Sequence, residues 1–188
     1  MKKLFAICLL PVCTGCLSLT ATNPTVADWP VQAGTLAHQE LTPRFGVTRL
    51  SLVAVRAPYD VRQLAVSRAD STLAFDGYNR FAAQPSQLLK GVAQDVLAAS
   101  GRFKSVVAAT SAAAASHVAE LTVTDLRLDC SGGTCEAVAG VSLMVLDRSR
   151  EIVALVSGAG RCEAADGDYG AAFSSAFTLA LEKALGAL

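Results

Sequence analysis

The chain has little of what catalysis usually requires. It contains two histidines among 188 residues, His38 and His117, and neither belongs to a spaced metal-binding or triad motif. Gly158 and Gly160 form a Gly-Xaa-Gly step after a β-prone run, but no third glycine completes a dinucleotide fingerprint. That step is better explained by close packing or a bulge. We therefore predict no catalytic residue, no metal site and no cofactor.

An excess of positive charge and a long hydrophobic segment are also missing. The 16 Lys and Arg residues balance 16 Asp and Glu residues, which offers nucleic acid no basic surface. The apolar run at residues 4–12 is far shorter than the ~20 residues that span a bilayer. Neither a nucleic-acid partner nor a transmembrane anchor is expected.

The N-terminus has the features of a secretory signal peptide. Lysines follow Met1, residues 4–12 are apolar, and small residues precede Cys16. Thr14-Gly15-Cys16 resembles the end of a bacterial lipobox, in which the cysteine is acylated and the peptide bond before it is cut. We expect residues 1–15 to be a signal peptide and Cys16 to be lipidated, with ordinary secretion as the alternative.

The rest of the chain is predicted to contain one domain. Residues 16–43 are polar and are assigned to a lipidated tether and linker, whereas residues 44–188 have the length of a single domain. Three β-prone runs at 118–129, 136–146 and 151–157 are separated by short polar turns, which predicts an antiparallel meander. A change in apolar parity within the first run implies a bulge near Thr124 or Asp125.

Further strands and two helices complete the predicted fold. Strands are expected at 47–55, 63–68, 71–75 and 103–109, with Asp76-Gly77 ending the third of these. Apolar residues recur at helical spacing from Pro85 to Ser100 and from Asp168 to about Leu185. These elements predict an α/β fold of the α+β kind, in which two amphipathic helices cover one face of a mainly antiparallel sheet as a two-layer sandwich.

Counting outward from the two turns of the meander brings three cysteines together. If Leu146 lies opposite Glu151, then Cys135 lies opposite Cys162, and across the other turn Cys135 lies opposite Cys130. In an oxidising compartment one disulfide is expected among the three, which leaves one thiol. Proximity within the hairpin favours Cys130 with Cys135, and Cys135 with Cys162 is the alternative.

An ordered series of short motifs runs through the middle of the chain: Ala57-Pro-Tyr59, Gln63-Leu-Ala-Val-Ser-Arg68, Leu73-Ala-Phe75, Tyr78-Asn-Arg-Phe81, Pro85, Leu97-Ala-Ala-Ser-Gly-Arg-Phe103 and Val106. This series resembles that of the PqiC-type ABC-transport auxiliary lipoproteins, and the likeness covers about residues 41–185. In that family the position of Phe81 is usually Trp.

The resemblance implies a place in the cell envelope. It implies an outer-membrane lipoprotein facing the periplasm, which works beside an MCE-domain protein and its permease in moving lipids between membranes. A lipoprotein that assists an outer-membrane β-barrel is the alternative, because fold alone does not separate the two. Lipid binding between helices and sheet, and a homo-oligomer, are compatible with either.

Without catalytic chemistry, the functional residues are expected on a contact surface. Aromatic and Arg side chains are enriched at energetically important contacts, and Tyr59, Tyr78, Arg80 and Phe81 concentrate such side chains on predicted turns. We predict that these residues contribute to binding of the MCE partner. Core packing of Tyr78 and Phe81 is the alternative.

Overall fold

The computed structural model describes residues 25–34 and 39–188. The predictions for the signal peptide, for lipidation of Cys16 and for His38 lie outside the described residues. The strands within the described part are β1 (Ala27–Trp29), β2 (Phe45–Val55), β3 (Gln63–Ser67), β4 (Leu73–Phe81), β5 (Phe103–Ala108), β6 (His117–Asp129), β7 (Glu136–Leu146) and β8 (Ile152–Glu163); the α-helices are α1 (Pro85–Ala99) and α2 (Tyr169–Gly186).

These strands form one mixed sheet around β6. On one side β6 pairs with β7 in antiparallel orientation, and β7 pairs likewise with β8, as the predicted meander requires. On its other side β6 pairs in parallel with β2 and, at its last two residues, with β3. β5 lies parallel to β2, while β4 is antiparallel to β3 and parallel to β1. The predicted α+β class is confirmed.

Both helices pack on the same face of this sheet. α1 begins at Pro85 and ends before Gly101, whose φ of 67° suits the residue that follows a helix. α2 begins after Asp168, whose carboxylate accepts a hydrogen bond from the nitrogen of Ala171 at 2.9 Å. The predicted apolar stripe of α2 is buried against β7 and β8, and it contains Phe173, Phe177, Ala180, Leu181 and Ala184.

Two glycines let α2 approach β8 at backbone distance. A Cβ atom on Gly158 would lie 2.1 Å from the carbonyl oxygen of Ala180, and a Cβ atom on Gly160 would lie 2.0 Å from that of Ala176. Any side chain at these positions would push the helix off the sheet. The Gly-Xaa-Gly step of the sequence is therefore a packing feature.

The meander has the predicted bulge and one unpredicted change of register. The pairing of β6 with β7 shifts between Val123 and Asp125. Leu146 pairs with Ile152, one residue later than the predicted Glu151, and an irregularity then adds Val153 to β8. Together the two changes place Cys162 opposite Ala137 and not opposite Cys135 as predicted. A displacement by two residues keeps each residue on its predicted face.

The predicted end of the β4 strand at Asp76-Gly77 is wrong. β4 continues to Phe81 because the strand forms a bulge after Phe75 and then resumes its pairing, with Gln63 opposite Arg80. Asp76 stabilises this bulge by accepting hydrogen bonds from the nitrogens of Tyr78 at 2.7 Å and of Asn79 at 3.1 Å. Tyr78, Arg80 and Phe81 therefore belong to a strand and not to a turn.

Candidate contact surface

The structure does not bring the four predicted contact residues onto one surface. Tyr78 and Arg80 lie on β4, and the side chain of Tyr78 is 55% exposed. Arg80 lines an open cavity of about 740 Å³ between β4 and the start of α1. Tyr59 lines a different cavity, of about 530 Å³, next to the end of β6.

Phe81 is a core residue, and the prediction that it contacts a partner is wrong. Its side chain is 2% exposed and packs edge-on against Phe173 of α2, with ring centroids 5.0 Å apart. The continuation of β4 to this residue points the ring beneath the helix layer. Core packing, the alternative considered for both aromatic residues, holds for Phe81 but not for Tyr78.

Tyr78 is accompanied by exposed apolar side chains that sequence reasoning did not single out. Leu73 is exposed, and Phe75 is exposed to 47%. β1 pairs only with residues 79–81, so among the described strands none covers the outer side of residues 73–78, which we call the β4 edge. The alternation in Leu73-Ala-Phe75 could have predicted this apolar surface, because Leu73 and Phe75 lie on the same face of a strand.

Arg80 is already engaged by a residue of the chain itself. Asp28 of β1 accepts hydrogen bonds from Nε of Arg80 and from a terminal nitrogen of Arg62, each at 2.6 Å. The hydrogen bond from Arg80, with the charge of Arg62 adding to it, holds the pKa of the Asp28 carboxyl below its usual value. The two arginines share one carboxylate. Asp60 lines the same cavity as Arg80 and Asp76 lies within the β4 edge, so charges of both signs are present there.

β1 is held to β4 by a second polar contact. The indole nitrogen of Trp29 donates to the side-chain oxygen of Asn79 at 3.1 Å, and the ring packs edge-on against Tyr169. Residues 27–29 thus lie on the domain as a short strand, which the sequence pattern does not predict. Residues of this segment and of α2, which are in contact, together line a groove of about 720 Å³.

Tyr59 lies beside a charged pair on β6. Asp125 and Arg127 form an ion pair, and burial, with the charge of Asp125 adding to it, raises the pKa of the Tyr59 phenol. Arg68 and Ser71 also line the adjoining cavity. This second location carries hydrogen-bonding groups, and Leu73 of the β4 edge also lines it.

The structure joins Cys130 to Cys135 and leaves Cys162 as a free, half-buried thiol. Within residues 25–34 and 39–188, no group of three His, Cys, Asp or Glu side chains is arranged to hold a metal ion. In the same part of the chain, neither helix has the length and apolar character needed to cross a membrane.

The domain is thus a two-layer α+β structure whose candidate functional feature is an exposed strand edge. No family model matches the chain, and no curated protein matches its sequence.

Solved structures share its fold. The chain is similar to protein XCC0632 from Xanthomonas campestris, described under the family model DUF330, with a TM-score of 0.59 and 16% identity over 86% of this chain and 88% of that chain. This likeness establishes a common fold.

Two other solved structures score lower. PelC from Paraburkholderia phytofirmans, solved as a dodecamer, has a TM-score of 0.45 and 18% identity over 82% of this chain and 91% of that chain. Lipoprotein GNA1162 from Neisseria meningitidis has a TM-score of 0.38 and 11% identity over 68% of this chain and 89% of that chain.

Proposed function

We propose that the chain is a non-catalytic lipoprotein, anchored to the outer membrane through Cys16, that docks an MCE-domain protein and its permease on the periplasmic side. The ordered motif series between Ala57 and Val106 supports this proposal, and so does the fold shared with a DUF330 protein. Acylation of Cys16 would hold the domain stably at a membrane if more than one acyl chain is attached to it.

The observation that carries the proposal is the β4 edge. It lies inside the motif series and carries exposed apolar side chains, and Arg80 follows Tyr78 by two residues on the same strand. Arg80 and Arg62 both bind Asp28. Large aromatic and Arg side chains contribute disproportionately to protein contacts. An unpaired strand edge also accepts an extended partner segment through main-chain hydrogen bonds. The contact therefore rests on Phe75 and Tyr78, with the arginines at its rim.

The test removes this apolar contact and measures what the protein captures from the native envelope. The Phe75→Ala/Tyr78→Ala variant is compared with Ile152→Ala/Leu155→Ala on β8, where the side chains are 59% and 62% exposed. Each variant removes two exposed apolar side chains, one pair from β4 and the other from β8, which lie towards opposite edges of the sheet. We expect the β4 variant to lose at least about tenfold in MCE-protein capture, equivalent to about 1.4 kcal/mol, and the β8 variant to match the wild type.

Quantitative mass spectrometry of the purified complexes reads out the result, in protein that fractionates with the outer membrane as the wild type does. Equal capture by both variants would refute the β4 contact. Wild-type protein that captures no MCE protein would refute the functional assignment. Enrichment of an outer-membrane β-barrel in its place would establish the alternative.

A further inference from the structure

Three cysteines lie on the helix-covered face at one end of the meander. Cys130 and Cys135 are joined across the hairpin between β6 and β7, and Cys130 and Cys162 both pack against the core. Cys162 pairs with Ala137, and Cys135 precedes Ala137 by two residues, just before β7 begins. Residues two apart on a strand share a face, so Cys162 is a diagonal neighbour of Cys135. The nitrogen of Ala164 donates to the carbonyl oxygen of Cys135 at 2.9 Å, which keeps the two strands side by side here.

We propose that Cys162 is the nucleophile of an internal thiol–disulfide exchange that moves the disulfide from Cys130–Cys135 to Cys135–Cys162. The Cys162 thiol gives its proton to solvent, and the thiolate attacks Sγ of Cys135. The new Sγ–Sγ bond forms as the bond to Cys130 breaks, and Cys130 leaves as a thiolate that takes a proton from solvent. One disulfide and one thiol are present before and after, so no oxidant or reductant is consumed.

The strand order assigns the three roles. β7 lies between β6 and β8, so Cys135 neighbours both other cysteines, while Cys130 and Cys162 are two strands apart. Neighbouring strands are about 4.8 Å apart, and two such steps exceed the ~6.8 Å Cα separation that a disulfide spans. Diagonal neighbours are about 7–8 Å apart, so a shift of about 1 Å at the strand ends brings Cys162 within range of Cys135.

Exchange changes what the covalent bond restrains. In the Cys130–Cys135 form the disulfide closes the turn of residues 131–134, whereas a Cys135–Cys162 bond ties β7 to β8. Asp129, next to Cys130, accepts hydrogen bonds from Ser131 and Arg161, and Asp129 and Ser131 line the cavity that contains Tyr59. Exchange therefore releases one wall of that cavity from its covalent restraint.

Tryptic peptides distinguish the two forms without further cleavage. Cys130 and Cys135 fall in one peptide, 128–148, and Cys162 falls in another, 162–183; the remaining cysteines are confined to peptide 4–44. The full-length protein, purified without reductant, is incubated at about pH 6.5 or about pH 8.5, blocked with N-ethylmaleimide and digested. Because the thiolate is the attacking species, exchange is expected to be faster at the higher pH.

The expected product at the higher pH is a linked pair of these two peptides, with maleimide on Cys130. Its formation rate should not depend on protein concentration, because the reaction is internal. Maleimide found only on Cys162 at both pH values would overturn the proposal. Maleimide on Cys135 would overturn the assignment of roles.

A matched pair of variants tests the geometry without relying on the exchange rate. Cys130→Ser leaves Cys135 and Cys162, which should form a disulfide when the protein is oxidised. Cys135→Ser leaves Cys130 and Cys162, which lie two strands apart and should remain thiols within each chain. Equal disulfide formation in both variants, or none in Cys130→Ser, would contradict the inference.

Discussion

The two sides of the sheet meet α2 in different ways. At β8 the helix rests on the strand backbone, because Gly158 and Gly160 leave no side chains between them. At β4 the contact is made by one side chain, Phe81, against Phe173, and the strand before it carries Phe75 and Tyr78 into solvent. On β8 the helix covers the face at Gly158 and Gly160, while Ile152 and Leu155 earlier on the strand stay exposed. The two sides of the sheet therefore differ in how α2 contacts them, by backbone at β8 and by a single ring at β4.

The largest expected effect contrasts two aromatic residues three positions apart on β4. Phe81→Ala removes a fully buried ring and should lower the free energy of unfolding by about 3–5 kcal/mol. Tyr78→Ala removes an exposed ring and should change it by no more than about 0.5 kcal/mol. Thermal denaturation separates the two, since 1 kcal/mol corresponds to about 2–4 °C in a domain of this size. Similar losses in both variants would mean that the β4 edge is part of the core.

The next effect tests the close contact at β8. Gly160→Ala places a methyl group against the backbone of α2 and should destabilise the protein by about 1–3 kcal/mol. Gly91→Ala is the matched control, because Gly91 lies on the exposed side of α1 with open space where its Cβ would be. There the change should stabilise the helix by about 0.5–1 kcal/mol. Effects of the same sign in chemical denaturation would contradict the packing described for Gly160.

The same comparison explains which parts of the fold could be predicted from sequence. The meander and both helices follow from local signals, such as the polar turns between β6, β7 and β8, Pro85 at the start of α1 and Asp168 before α2. Each signal acts on residues close in the chain. The bulge near Asp125 was predictable for the same reason, since apolar parity changes there.

The β4 side depends on contacts between residues far apart in sequence. β4 continues beyond Gly77 because Asp76 caps the bulge and Gln63 then pairs with Arg80. β1 forms because Asp28 and Trp29 bind partners about fifty residues later in the chain. A strand of three residues is too short to show the alternation of apolar and polar residues from which a strand is predicted. Local sequence preferences therefore predicted a turn at Phe81, whereas pairing of β4 with β3 and β1 places this residue in the core.

The cysteine cluster shows that a small local irregularity limits how far the register of two strands can be counted from the turn that joins them. The predicted register of β7 and β8 assumed that Leu146 lies opposite Glu151 and that pairing is regular from there. Leu146 pairs instead with Ile152, and Val153 adds one more unpaired residue to β8. The cysteines still gather on one face, because the register moves by two. Their order changes, so that Cys162 is a diagonal neighbour of Cys135 and not its direct partner.

The smallest expected effect is local and concerns β1. Asp28 is exposed, so its ion pairs contribute little to global stability. Its lowered pKa, caused first by the hydrogen bond from Arg80, means that the contribution is present above the unfolded-state pKa of about 3.9 and is lost as the pH falls through the lower folded-state value. Trp29, the one tryptophan of the chain, is adjacent to Asp28 and reports whether β1 stays on β4.

We therefore expect iodide to quench Trp29 fluorescence more strongly below about pH 4, before the domain unfolds. Asp28→Asn should expose Trp29 already near neutral pH and remove this acid step. Asp76 is the necessary comparison. Burial raises its pKa, but hydrogen bonds lower it by more, so Asp76 also has a lowered pKa. Its side chain accepts a hydrogen bond from Asn79, which is the hydrogen-bond partner of Trp29. Asp76→Asn should keep the step that Asp28 causes. If wild type and Asp28→Asn give the same titration, β1 is held by Trp29 and its packing against Tyr169, and the ion pairs with Arg62 and Arg80 do not secure it.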